Sequence, residues 1–165
     1  MTSTDLAAPT TLTIRTATPR DAELVDRLVR EIAAHEDSLN DVASGPDQWR
    51  TMLARADVRV FIAVNSNGEP LGYASTTRRL VLWLGADVIG LDDLWVREQA
   101  RNQGVGRCLM TAVAALAATD RLTIVWGAEP DNVDAHRFYR RLGANLRSKV
   151  VASWAPDHYL PALPH

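Results

Sequence analysis

The sequence contains a single cysteine, Cys108, among 165 residues. One cysteine cannot form an internal disulfide, which excludes a disulfide-stabilised fold and favours a reducing compartment. No apolar run is long enough to cross a bilayer. Residues 1–11 contain no lysine or arginine, so they lack the basic region of a signal peptide. These absences predict a cytoplasmic protein with no membrane partner.

Strong net charge and metal-ligand patterns are also missing. The formal charge of −2 gives no general attraction to nucleic acid. The four histidines are scattered, and together with the one cysteine they show no metal-ligand spacing. We therefore predict no metal ion and no nucleic-acid partner.

The chain has the length and the 47% hydrophobic content of one domain with its own core. Residues 1–10 are rich in threonine, serine and alanine and are predicted to form a flexible tail, with the domain over residues 11–165. Hydrophobic periodicity predicts a strand, two helices, three strands, a helix, a strand, a helix and a final pair of strands over 144–158. This order indicates a single-domain α/β (α+β) fold with a mixed, partly antiparallel sheet flanked by helices.

Two glycines, Gly104 and Gly106, stand where a predicted strand passes into a helix. A helix start exposes unpaired backbone N–H groups, and glycine allows an anion to approach them closely. Arg101 and Arg107 add positive charge. No Gly-Lys-Ser/Thr follows, and Leu109 replaces the third glycine of a dinucleotide fingerprint. The pattern indicates a diphosphate site of another kind, although a lone Gly-x-Gly can also be a simple turn.

Two segments of the chain resemble the GNAT N-acetyltransferase superfamily, and the Asp92–Asp93 pair and the loop of residues 35–41 resemble those of its small-molecule, diamine-like members. Residues 101–106 (Arg-x-x-Gly-x-Gly) resemble its acetyl-CoA motif. Residues 132–144 resemble its Asn-x-x-Ala-x-x-Phe-Tyr-x-x-x-Gly-Phe pattern, with Ala144 in place of the final aromatic residue. The resemblance implies the family's sheet, in which the strands before and after the first motif splay apart, with acetyl-CoA as co-substrate and no metal.

The same resemblance implies where acetyl-CoA binds. Its pantetheine arm lies between the splayed strands and pairs with the backbone of residues 94–96, and its diphosphate lies on the amides of residues 101–107. Two residues of the second motif line the far side. The implied cofactor-binding residues are Leu94, Trp95, Val96, Arg101, Asn102, Gln103, Gly104, Val105, Gly106, Arg107, Asn132 and Tyr139.

Amine acetylation requires proton transfer. A primary amine has a pKa of about 10.4 and must lose a proton before it attacks, and a departing thiolate benefits from a proton donor. By resemblance, Tyr139 is the acid, Asp92 is the base and the N–H of Val96 stabilises the thioester oxygen. Strand alternation predicts that Asp92 and Asp93 point to opposite faces, so only one of them can face a given side of the sheet. A solvated strand-end charge is the alternative role for either residue and the favoured one for Asp93. Packing of Tyr139 against the cofactor without catalysis is the alternative role.

The acceptor pocket is predicted from the acidic loop after the first helix, which contains His35, Glu36, Asp37 and Asp41. The corresponding loop of the family covers the acceptor. An acidic lining favours a cationic amine such as a polyamine or an aminoglycoside. Trp83 is predicted to line the same pocket. An ordinary solvated loop is the alternative interpretation.

These inferences predict an acetyl-CoA-dependent N-acetyltransferase that acts on a primary amine of a small, cationic molecule. The amine attacks directly in a ternary complex, and the protein is a homodimer, as many family members are. A protein or peptide N-acetyltransferase and a non-catalytic acyl-CoA-binding regulatory module are the alternatives.

Overall fold

The computed structural model describes residues 12–163. The predicted tail over residues 1–10 therefore lies outside the described residues. The chain divides into two compact units after Gly127. No helix of the described residues is both long and apolar enough to span a membrane.

The first unit contains a five-stranded sheet and three helices. The strands are β1 (Thr13–Thr16), β2 (Val58–Val64), β3 (Pro70–Val81), β4 (Ala86–Val96) and β5 (Thr123–Val125), and the helices are α1 (Ala22–His35), α2 (Pro46–Leu53) and α3 (Val105–Ala118). The strand order is β1-β2-β3-β4-β5. All neighbours are antiparallel except β4 and β5, which are parallel. The mixed sheet with flanking helices confirms the predicted fold class.

Helices α1 and α2 pack on one face of the sheet, and α3 packs on the other. Val60 and Ile62 of β2 belong to the core that α1 and α2 cover. Phe61 lies between them in sequence and points to the opposite face, beside Ala112 and Leu116 of α3. Alternation along β2 thus separates two apolar layers.

The hairpin of β3 and β4 extends beyond its neighbours. Pairing of β2 with β3 begins at Val58 and Thr77, and β5 pairs only with residues 88–90 of β4. Residues 79–87 therefore form a two-stranded ribbon, which turns at residues 82–85. Leu82 and Trp83 in this turn are 84% and 87% exposed.

The second unit contains α4 (Val133–Arg141) and the short helix α5 (Pro156–Tyr159). The side chain of Asn132 caps α4 by accepting a hydrogen bond from the N–H of Ala135 at 3.0 Å. Gly143 follows the helix with a φ of 85°. The helix predicted after the last strand before residue 144 is confirmed.

The predicted strand pair over residues 144–158 is wrong. No strand follows β5 in the described residues, and Pro156 begins α5 instead. Val150 and Val151, which favour a strand by their composition, are 90% and 87% exposed. A strand pair needs a buried face and shared backbone hydrogen bonds, and β-branched residues alone supply neither.

Candidate active site

Strand β4 has a strand partner on both edges for only part of its length. It pairs with β5 at Val88, Ile89 and Gly90. Beyond that point β5 ends, whereas β4 continues through residues 91–96. We call the unpaired side of these six residues the open edge of β4. Such an edge presents backbone N–H and C=O groups that can pair with another chain or ligand.

The direction of individual backbone groups on this edge follows from one hydrogen bond. The N–H of Arg97 donates to the carbonyl of Leu71 on β3 at 2.9 Å. Successive residues of a strand direct their backbone groups to alternate sides. The N–H groups of Val96 and Leu94 therefore point to the open edge, as the predicted role of the Val96 N–H requires.

The open edge leads into a loop and the N-terminus of α3. Asn102 and Gly104 have left-handed φ angles of 60° and 84°, and α3 begins at Val105. The first N–H groups of a helix lack intrahelical partners and lie at the positive end of its dipole. The amides at this helix start can therefore receive a phosphate group. This arrangement fits the diphosphate of acetyl-CoA.

The side chain of Arg101 folds back onto β4. Its Nε donates to the carbonyl of Val96 at 3.0 Å, and its guanidinium carbon lies 4.9 Å from the centre of the Trp95 ring. The arginine therefore holds the loop against the open edge in addition to contributing positive charge. The exposed Arg107 stands in the first turn of α3.

Asp92 lies in a β-bulge, which overturns the prediction that it and Asp93 point to opposite faces. The pairing of β3 with β4 shifts between Ser75 and Thr76, which leaves Asp92 as an extra residue. Ser75 Oγ donates to the Asp93 carboxylate at 2.6 Å, and Thr77 Oγ1 donates to the Asp92 carboxylate at 3.1 Å. Ser75 and Thr77 share one face of β3. The two carboxylates therefore lie on the same face, because strict alternation fails at a bulge.

The prediction that Asp93 is a solvated charge is also wrong. Ser75, its partner, is buried, and the N–H of Asp93 donates to Ser75 Oγ at 3.1 Å in addition to the carboxylate contact. Asp92 is the more exposed of the two. Burial of its carboxyl group raises the pKa of Asp92, and the charge of Asp93 adds to this rise against the opposing hydrogen bond from Thr77.

Two buried hydrogen-bond donors lie on the face that carries Asp93. Tyr73 and Trp95 are paired across β3 and β4, and Tyr73 is fully buried. The Trp95 Nε1 has no hydrogen-bond partner among the described residues. Burial raises the pKa of Tyr73, and the charge of Asp93, the hydrogen bond to the Asp93 carboxylate and the charge of Glu36 raise it further, so its hydroxyl stays protonated. A buried donor usually has a partner, and the Trp95 Nε1 can donate to an oxygen atom of a ligand or of water.

The end of α1 covers part of this face through two successive contacts. The His35 ring lies 4.9 Å from the Trp95 ring. One helical turn earlier, Glu31 binds Arg97 with N–O distances of 2.6 and 2.8 Å. Because α1 ends at His35, the next position on this face of β4, Asp93, lies beyond the helix. Helix α1 itself therefore does not cover Asp93.

The comparisons with known proteins agree with this geometry. The sequence profile described as "Acetyltransferase (GNAT) family" matches residues 24–144. The aminoglycoside N(6′)-acetyltransferase type 1 of Stenotrophomonas maltophilia is 30% identical over 152 residues, which cover 84% of this chain and 90% of that protein. The thialysine N-ε-acetyltransferase of Caenorhabditis elegans is 30% identical over 104 residues, which cover 63% of this chain and 64% of that protein.

A solved structure is similar over most of the chain. It is an aminoglycoside acetyltransferase from an uncultured soil metagenomic sample in complex with trehalose, with a TM-score of 0.75 and 20% identity. The similarity covers 87% of this chain and 95% of that chain. The chain belongs to the GNAT acetyltransferase family. As in its named relatives, the activity is that of an N-acetyltransferase, and the predicted family and enzyme class are confirmed.

Three further predicted site residues of this GNAT enzyme are Asn132, Tyr139 and Trp83. Asn132 and Tyr139 belong to the second unit, where the Tyr139 and Phe138 rings are 5.5 Å apart. Burial raises the pKa of Tyr139, so its hydroxyl keeps its proton at neutral pH. Trp83 lies in the turn of the ribbon, and the strand between this turn and Asp93 is about 20 Å long. The structure therefore does not bring Trp83 to the face that carries Asp93.

Several residues of the site were missed by sequence analysis. They are Glu31, Gly72, Tyr73, Ser75 and Arg97. Gly72 carried a usable signal, because an isolated glycine inside a strand often marks a close backbone approach. The others gave none, since their roles depend on partners that are distant in sequence. No cluster of three or more potential metal ligands occurs among residues 12–163.

Gly72 marks a close approach of β3 to the site. A Cβ atom there would lie 2.3 Å from the carbonyl oxygen of Trp95 and 3.0 Å from the Cα of Val96. Backbone atoms cannot rotate away, so Gly72→Ala should displace β4 and destabilise the protein by about 1–3 kcal/mol. Thermal melting should show a decrease of several degrees. Gly127→Ala is the control, since its added Cβ meets no atom within 4 Å, and equal decreases would contradict the explanation.

Proposed function

We propose that this GNAT enzyme transfers the acetyl group of acetyl-CoA to a primary amine of a small, cationic molecule by direct attack. The observation that carries the proposal is the open edge of β4, which continues into the amide-bearing start of α3. A strand edge suits an extended ligand with amide groups, and a helix start suits a diphosphate. Acetyl-CoA contains both and supplies the activated acetyl group as a thioester.

The residues proposed to hold acetyl-CoA follow from this arrangement. The backbone of Leu94, Trp95 and Val96 pairs with the pantetheine arm, and the N–H of Val96 stabilises negative charge on the thioester oxygen. The segment that binds the diphosphate is Arg101, Asn102, Gln103, Gly104, Val105, Gly106 and Arg107. Asn132 and Tyr139 complete the set by resemblance.

The proposed acceptor is cationic because acidic groups converge on one face of β4. The carboxylates of Asp92 and Asp93 share that face, and the charge of Glu36 reaches Tyr73 on the same side. Carboxylates favour an ammonium group. The unpartnered Nε1 of Trp95 suits an acceptor that also carries an oxygen atom. The names of the two curated relatives, which specify thialysine and aminoglycosides, support a small amine.

Two side chains are proposed to move protons. The Asp92 carboxylate removes a proton from the acceptor ammonium, directly or through water, so that the nitrogen can attack. Its raised pKa makes it a stronger base than an ordinary aspartate. The Tyr139 hydroxyl donates a proton to the departing sulfur, and His35, Glu36 and Asp37 border the acceptor. Asp93 binds the acceptor ammonium.

Acetyl-CoA binding is tested by thermal melting with increasing cofactor. At about 100 times the dissociation constant, binding adds about 2.7 kcal/mol, which raises the melting temperature by several degrees. No rise at millimolar acetyl-CoA would contradict the proposal. Gly104→Ala should reduce the rise. Gly68→Ala is the matched control, because both glycines have a positive φ and open space around the added Cβ.

The acceptor class is tested by free-thiol release with polyamines, aminoglycosides, amino acids and peptides. We expect turnover with small polycationic amines. Turnover with peptides alone would favour a protein N-acetyltransferase. Acetyl-CoA binding without turnover of any acceptor would favour a regulatory binding module.

We also propose a homodimer formed through the ribbon of residues 79–87. A two-stranded ribbon is marginally stable by itself, and its turn exposes Leu82 and Trp83. Residues 80–86 carry no charge, so two copies can meet there without like-charge repulsion. A second copy is therefore the occupant that suits this patch.

Light scattering after size exclusion tests the dimer. The wild type should have twice the 18.1 kDa mass of one chain, and the double variant Leu82→Ser, Trp83→Ser should have the single mass. Val150→Ser is the control, because it removes an equally exposed apolar side chain outside the ribbon. A monomeric wild type, or a dimeric double variant, would contradict this interface.

A further inference from the structure

The ion pair between Glu31 and Arg97 joins three elements that meet at the site. Arg97 donates through Nε and Nη2 to the two carboxylate oxygens of Glu31, at 2.8 and 2.6 Å. Its Nη1 donates to the carbonyl of Pro70 at 2.6 Å. One guanidinium group therefore connects α1 with the start of β3 and the end of β4. Among the ion pairs of the described residues, this is the one that joins α1 to the residue directly after β4.

The pair and the His35–Trp95 contact fix a single register between helix and strand. Glu31 and His35 are one turn apart on the same side of α1, about 6 Å along its axis. Arg97 directly follows β4 and still pairs with Leu71, so it lies two residues from Trp95 on the same face, about 6.6 Å along the extended chain. The two spacings match, so both contacts form only when α1 occupies its present position along β4.

The Glu31–Arg97 ion pair fixes the position of the end of α1 more than it stabilises the fold. The side chains of Arg97 and Glu31 are 26% and 36% exposed, and ion pairs of this kind contribute about 0–1 kcal/mol. A carboxylate bound by two nitrogens of one arginine is fixed in direction as well as distance. The apolar anchors of α1, Val25 and Leu28, lie in its first half, and only Ala33 is buried after them. Ile32 packs against the core partly buried, so the end of the helix is held by Ile32 and Ala33 together with its polar contacts.

We propose that the Glu31–Arg97 pair is a positioning device that sets the end of α1 over β4 and thereby determines the affinity for the acceptor amine. This inference rests on the proposed function, because the acceptor ammonium is proposed to bind Asp93, just beyond the end of α1. Glu31 and Arg97 contact neither reacting group. They act through His35 and Glu36, which follow Glu31 by about one turn.

The kinetic test uses Glu31→Gln, which keeps the shape of the side chain and removes its charge. The KM for the acceptor amine should rise about fivefold, the equivalent of about 1 kcal/mol. The kcat at saturating amine and the dissociation constant of acetyl-CoA should stay within about twofold. Glu23→Gln is the matched control, since Glu23 is an exposed α1 carboxylate without an ion pair in residues 12–163. A lower melting temperature with an unchanged KM would overturn the proposal.

Exchange of the two charged residues distinguishes the loss of this ion pair from a general effect of removing a charge. Glu31→Arg and Arg97→Glu should each raise the KM, and the double exchange should restore it at least partly, because the two charges again attract. A double exchange whose KM equals that of the poorer single variant would overturn the proposal.

Hydrogen exchange gives a readout that does not depend on activity. Peptides over residues 29–37 should exchange faster in Glu31→Gln than in Glu23→Gln, whereas peptides over α3 should be unchanged. Equal exchange in the two variants would overturn the positioning role. A wild type that binds acetyl-CoA but acetylates no amine would contradict the proposed function instead, and the exchange result would still stand.

Discussion

Replacement of Tyr139 by phenylalanine is expected to lower kcat by about 10²-fold or more, the usual contribution of a positioned proton donor. The substitution removes the hydroxyl and keeps the ring. Because burial raises the pKa of Tyr139, this hydroxyl is protonated across the neutral and mildly alkaline range. It can therefore still donate a proton at mildly alkaline pH, where a larger fraction of the amine is neutral and reactive. Steady-state kinetics at saturating amine measure the effect.

Cofactor binding separates this role from packing. The rise in melting temperature with acetyl-CoA should be nearly the same in Tyr139→Phe and in the wild type. Tyr159→Phe, which changes another tyrosine of the second unit, should leave kcat unaltered. An unchanged kcat in Tyr139→Phe would remove Tyr139 as the acid, and a lost melting shift would indicate a binding role.

Replacement of Asp92 by asparagine is the second large effect that we expect. Loss of a general base should lower kcat/KM by about 10²–10⁴-fold near neutral pH. The base acts in its ionised form, so wild-type activity should fall as the pH decreases through the pKa of Asp92. That pKa is raised by burial and by the charge of Asp93, which moves the fall to higher pH than for an ordinary aspartate. The pH profile of Asp92→Asn should lack this decrease in activity at low pH, which is called the acid limb of the profile.

The defect of Asp92→Asn should shrink as the pH approaches the pKa of the amine, about 10.4, because more of the acceptor is then neutral without a base. Asp93→Asn is the informative comparison. It should mainly raise the KM, since Asp93 is proposed to bind the ammonium group. An acid limb that disappears in Asp93→Asn and persists in Asp92→Asn would exchange the two roles.

Local patterns predicted the fold well because they arise from local physics. The β-branched residues of 58–64 predicted β2, and helical periodicity predicted α1 and α3. The loop at Gly104 was recognisable because a positive φ restricts the choice of residue. The failure at residues 144–158 has the same origin, since Val150 and Val151 have strand propensity but no neighbour against which to pack.

The parts of the site that were missed depend on pairing between distant segments. The contact of Glu31 with Arg97 spans 66 residues, and that of Ser75 with Asp93 spans 18. The face on which Asp92 lies depends on the register of β4 against β3. A one-residue shift of that register leaves no mark in the periodicity of a short strand.

The bulge at Asp92 makes that residue supernumerary to the sheet. Leu91 and Asp93 pair with adjacent residues of β3, so a β4 without residue 92 would continue the ladder without interruption. Every other side chain of the strand would keep its present face, and the N–H of Val96 would still point to the open edge. Insertion or deletion of this one residue would therefore add or remove the proposed base while the pairing of β3 with β4 stays the same.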